Sequence, residues 1–81
     1  MAATYTNAID WMAQHDKDWI DSVVASLSVN GQDRSSPYAQ QHISPAARLT
    51  AAMWGRDAWQ VFDDVREARA RRYQANRAVA R

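Results

Sequence analysis

The sequence predicts an all-α fold, a small helical bundle, on three observations. Two Gly and two Pro in 81 residues leave little to interrupt a helix. Apolar residues recur at helical spacing over two long stretches, one from Ala8 to Val29 and one from Ser44 to Tyr73. Ser-Pro occurs twice, at Ser36-Pro37 and Ser44-Pro45, and each pair is a helix start. The hydroxyl accepts from the open N–H groups of the first turn, and proline in the next position loses nothing by lacking its own. The arrangement expected is a long N-terminal helix antiparallel to a long C-terminal helix that bends at Gly55. A short helix lies in the connection.

The first helix is expected from Ala8 to Val29, capped by Thr6 or Asn7, with residues 1–5 frayed. At about 100° per residue, Tyr5, Ala8, Ile9, Met12, Trp19, Ile20, Val23 and Leu27 share one face. Asp10, Lys17, Asp18 and Asp21 fall on the other. Asn30-Gly31 ends the helix, since both residues tolerate the left-handed conformation. Asp16 breaks the pattern by projecting onto the apolar face, where an unpaired carboxylate is costly. Either the helix breaks at His15-Asp16 and Asp16 caps a second segment, or an Arg such as Arg56 or Arg66 pairs with it. Trp11 lies about 100° from the centre of the apolar stripe, at the core edge or in solvent.

Gln32 to Ser36 reads as a polar loop, and Pro37 to Gln41 as a short helix with Tyr38 and Ile43 reaching the core. Ser44-Pro45 then opens the C-terminal helix. Its stripe shifts at Gly55: Ala46, Leu49 and Met53 share one face, and Ala58, Val61, Phe62, Val65 and Ala68 another. One bent helix is expected there. The competing reading ends one helix at Gly55 and caps the next with Asp57 and Gln60. Trp59 falls on neither stripe. Residues 75–81 lose apolar bulk and are expected to fray. The whole chain makes one domain, 1–81.

Several function classes recede on composition. The chain has no Cys, so disulfides and thiolate metal sites are excluded. The opening MAATYTNAIDW has neither the basic nor the apolar region of a signal peptide. No apolar run reaches the roughly 18 residues of a membrane span. A cytoplasmic protein is therefore expected. His15 and Asp18 share a helical face beside Asp16, but His42, the only other His, is in a loop, and a metal site needs three or four ligands. No nucleophile elbow and no phosphate-binding glycine loop is present. Asp63, Asp64 and Glu67 read as a solvated helix face. No catalytic residue, no metal, no cofactor and no small-molecule substrate is expected.

Charge is divided along the chain. Residues 1–33 hold five Asp against one Lys, and residues 34–81 hold nine Arg against three Asp and one Glu, within a net charge of +1. The Arg-rich segment, Arg66, Arg69, Arg71, Arg72 and Arg77, could follow phosphates, which makes a small nucleic-acid-binding regulator the alternative function. The leading one is a non-enzymatic interaction module, a small adaptor or inhibitor docking on a larger protein complex. Trp11, Trp59, Arg66, Arg69, Arg72 and Tyr73 would carry the docking, since Trp, Tyr and Arg dominate protein–protein hot spots. Small inhibitors encoded by phages and plasmids, including those that block nucleic-acid-guided defence complexes, are often of this size and lack catalytic motifs. Two long amphipathic helices with little to cover them also invite pairing into a homodimer.

Overall fold

The computed structural model describes residues 3–79, and the fold is all-α, with no strand among those residues. Five helices follow in order: α1 (Tyr5–His15), α2 (Asp18–Val29), α3 (Pro37–Gln40), α4 (Pro45–Met53) and α5 (Ala58–Val79). Helix α5 is the hub, packed on α1, α4 and α2, while α3 covers α2 and α1 also meets α4. The Cα trace measures 39 × 34 × 15 Å, thin enough for only two helix layers. Between them lies one core, in which Met12, Ile20, Val23, Val61, Phe62 and Val65 are closed to solvent. Trp19 tilts against Phe62 with ring centroids 6.0 Å apart.

The expected long N-terminal helix is two helices. Helix α1 ends at His15, and Asp16 closes it with its N–H donating to the Met12 carbonyl at 2.9 Å. Asp16 does not cap α2, whose N-cap Lys17 makes no side-chain capping bond, nor does it pair with an Arg among the described residues. Its carboxylate accepts from the Ser44 hydroxyl at 2.6 Å, and its carbonyl accepts the Trp19 indole N–H, also at 2.6 Å. Ser44 Oγ in turn accepts from the Ala47 N–H at 3.1 Å, capping α4. One hydroxyl thus serves a helix start and the carboxylate of the α1–α2 junction.

The junction separates two segments that each meet α5. Tyr5 of α1 donates to Asp64 of α5, and the Lys17 carbonyl at the junction accepts from Arg69. Asp21 of α2 also accepts from Arg69, and Arg34, in the loop after α2, holds Asp63.

Gly55 separates α4 from α5 instead of bending one helix. Its φ of +62° belongs to the left-handed region that glycine enters freely. The Arg56 N–H then closes back on the Ala51 carbonyl at 2.8 Å, the Schellman arrangement. Gly31 ends α2 in the same way, with φ +73° and the Gln32 N–H on the Leu27 carbonyl at 2.7 Å. Asp57 opens α5, its carboxylate accepting from the Trp59 N–H at 2.7 Å. This is the competing reading of the sequence, and the strain-free turn at Gly55 explains why it prevails.

Separating the helices also rotates α4. Its buried face is Ala47, Thr50 and Ala51, whereas Leu49 and Met53, expected inward, are exposed. Small side chains let α4 approach α5 closely, and the larger ones are left outside. Tyr38, expected in the core, is exposed as well, while Ile43 is buried. At the N-terminus, Thr4 rather than Thr6 or Asn7 is the cap, accepting from the Asn7 N–H. Tyr5 is anchored rather than frayed. Its hydroxyl donates to Asp64, its ring meets Trp54 edge-on at 6.1 Å, and the Arg56 guanidinium lies 4.0 Å over it. Residues 75–79, also expected to fray, continue α5; residues 1–2 and 80–81 lie outside the described residues.

Ser44→Ala removes a cap and leaves the Asp16 carboxylate without its donor, so it should cost about 2 kcal/mol in urea unfolding at neutral pH. A loss below about 0.5 kcal/mol would show that the junction does not depend on it. Burial and the Asp64 hydrogen bond both raise the Tyr5 pKa above its ordinary value. The fold therefore favours the neutral phenol. That stabilisation is complete below about pH 10 and is lost as pH rises through the folded value. Urea midpoints should fall between about pH 9 and pH 11 more steeply in the wild type than in Tyr5→Phe.

Candidate functional site

Arg66, Arg69, Ala70, Tyr73 and Asn76 recur at three- and four-residue spacing, so they share a face of α5. Opposite them the α1–α2 junction brings His15 and Lys17, with Asp18 and Asp21 from the first turns of α2. Between these walls lies a cleft of about 660 Å³, with Arg72 on its α5 side. Ala13 and Ala70 keep it open, since neither has a side chain large enough to fill it.

Of the six residues singled out for docking, four line this cleft: Arg66, Arg69, Arg72 and Tyr73. Arg66 and Arg72 are exposed. Arg69 is half-buried and engaged, with one nitrogen 2.9 Å from an Asp21 carboxylate oxygen and another donating to the Lys17 carbonyl at 3.5 Å. It therefore braces α5 against the junction. Tyr73 is exposed, and the Arg77 guanidinium sits 5.7 Å from its ring centroid.

The two off-stripe tryptophans part company. Trp11 is 53% exposed, and its ring lies 5.5 Å from that of His15, which lines the cleft. Trp59 is half-buried and elsewhere. It stands edge-to-face on Phe62 at 5.5 Å, with Arg34 5.1 Å over its ring. Arg34 also grips Asp63 through two hydrogen bonds, of 2.8 and 3.1 Å, and the bond to Asp63 raises its pKa. Trp59 thus belongs to the edge of the core under an arginine lid.

The remaining arginines of the alternative site divide in the same way. Arg71 forms an i,i+4 pair with Glu67 at 2.8 Å and faces a separate shallow groove beside Tyr5 and Asp64. Among the described residues no three His, Asp or Glu side chains gather where a metal could be held. His42 lines a groove of about 520 Å³ between α2 and α3, along with the exposed Val29 and Tyr38.

Sequence reasoning missed His15 and Lys17 as cleft walls, because the sharing of a wall by two helices needs the junction geometry. It also missed the Arg34 lid, which crosses 29 residues to Asp63 and carries no local signal.

The tryptophans give a direct check by unfolding. Trp59→Ala should cost about 2 kcal/mol or more, below the 3–5 kcal/mol typical of full burial, and Trp11→Ala less than about 1 kcal/mol. Equal costs would contradict the separation of core edge from surface.

Comparison with known protein families, with characterised proteins and with solved structures gives no match for this chain.

Proposed function

We propose that this chain is a non-enzymatic interaction protein, a small adaptor or inhibitor that docks on a larger protein or protein complex. The docking face runs from Trp11 across His15 to the rim formed by Arg66, Arg72 and Tyr73. The observation that carries this reading is the exposure of Trp11, 53%, on a helix that buries Ile9, Met12 and Ala13. A large ring left in water next to His15, on the edge of a cleft lined by Arg66, Arg72 and Tyr73, has the make-up of an interface hot spot. No described helix is long and apolar enough to cross a membrane. A second copy of the chain is one form the partner can take.

A nucleic-acid-binding regulator is the second reading. Arg66 and Arg72 favour it, since neither forms an ion pair among the described residues. Weighing against it, Arg69 and Arg71 already hold Asp21 and Glu67.

Immobilised protein should retain a defined protein complex from its source cells, and Trp11→Ala should lose it with its helical circular dichroism unchanged. Retention that is indifferent to Trp11→Ala, together with DNA or RNA binding that weakens steeply with salt, would reverse the order of the two readings.

A further inference from the structure

The geometry points to an acidic segment of the protein partner as the occupant of the cleft, gripped by Lys17, Arg66 and Arg72. This rests on the docking role proposed above and names the chemistry that the cleft would take. The chain carries only +1 overall, so any attraction for an anionic partner has to be local. The cleft concentrates it. Arg69 and Asp21 neutralise each other. Along the walls there remain Lys17, Arg66 and Arg72, none in an ion pair among the described residues, against the single carboxylate of Asp18.

Shape agrees with charge. A cleft of about 660 Å³ receives a few side chains. Arg66 and Arg72 are six residues apart, about 9 Å along the helix axis and about 120° around it, and both line the cleft. An extended peptide advances about 3.3 Å per residue and turns every second side chain to one face, so acidic side chains at alternate positions, about 7 Å apart, would face into the cleft together. The guanidinium fork suits a carboxylate, because two N–H groups can face its two oxygens. His15 and Tyr73 add flat apolar surface on either side of the opening.

Nucleic acid fits less well. Its phosphates repeat without a gap, so a strand led through the cleft would pass the carboxylate of Asp18 on one wall. Its affinity also grows with the number of phosphates neutralised, and three cations are few. A peptide can set its carboxylates against the arginines and place a neutral or basic residue beside Asp18.

The test is fluorescence anisotropy with a labelled peptide bearing Glu at every second position. The same peptide with Gln, and a single-stranded oligonucleotide of equal charge, serve as comparisons, each at low and physiological salt. The Glu peptide should bind at low salt and weaken as salt rises. Arg66→Ala with Arg72→Ala should weaken it about tenfold, and Arg66→Lys with Arg72→Lys, which keeps the charge but loses the fork, should weaken it by an intermediate factor of about three. Arg56→Ala with Arg71→Ala removes the same charge outside the cleft and should change binding less than about twofold. Circular dichroism verifies that each variant is folded. Glu and Gln peptides binding alike, or both alanine pairs weakening binding equally, would overturn the proposal. An oligonucleotide that binds more tightly than the peptide would transfer the cleft to nucleic acid. Trp11-dependent capture of a partner is read separately. If it persists while the Glu peptide fails to bind, docking stands and the acidic-segment assignment falls.

Discussion

The hydroxyl of Ser44 lies between a helix start and the carboxylate of Asp16, and the rest of the structure depends on that relay. Asp16 occupies what would be the apolar face of a continuous helix. Leaving it there unpaired would carry a desolvation cost that an 81-residue domain could not readily offset. The chain resolves the conflict by ending α1 at His15 and handing the carboxylate to Ser44, 28 residues away. The Asp16 carbonyl, freed from helical pairing, accepts the indole N–H of Trp19. That bond turns Trp19 inward against Phe62. A single polar residue thus orients α2, caps α4 indirectly and completes the core.

The cleft is a consequence of the same break. A continuous helix would lie along α5 without a step, whereas the junction presents His15 and Lys17 from one segment and Asp18 and Asp21 from the next. Arg69 crosses to both segments and fixes the spacing of the walls. At the opposite end, Tyr5 ties the start of α1 to Asp64 and to the corner between α4 and α5. Those two ties hold α1 against α5 at both ends, so the walls beside the cleft are braced rather than loose.

Ion pairing decides which charges are left for a partner. The described pairs occupy Arg34, Arg69 and Arg71 with Asp63, Asp21 and Glu67. All three are at least partly exposed, so each contributes little to stability, on the order of 1 kcal/mol or less. Their larger effect is selective, because they withdraw Arg69 and Arg71, two of the five arginines of the apparent basic stripe, from any ligand. The short core has a parallel consequence for apolar surface. A chain of this size cannot cover every large side chain, and Val29, Leu49, Met53 and Trp11 remain outside.

The sequence by itself determined the helical class, the capping at Ser36 and Ser44, the end of α2 at Asn30-Gly31 and the inward faces of α2 and α5. Each is local: propensity, a cap side chain or a period of 3.6 residues acts within a few positions and needs no partner. It also marked Asp16, Gly55, Trp11 and Trp59 as misfits, and left two outcomes open for each. Only the tertiary structure decided among them. Whether Asp16 breaks a helix depends on a hydroxyl 28 residues on. Whether Trp59 is core depends on Phe62 and on Arg34 arriving from a distant loop. The inward face of α4 likewise went to Ala47, Thr50 and Ala51 over the bulkier Leu49 and Met53, because close approach to α5 rewards small side chains. Long-range contacts of this kind are properties of packing, and no window along the chain contains them.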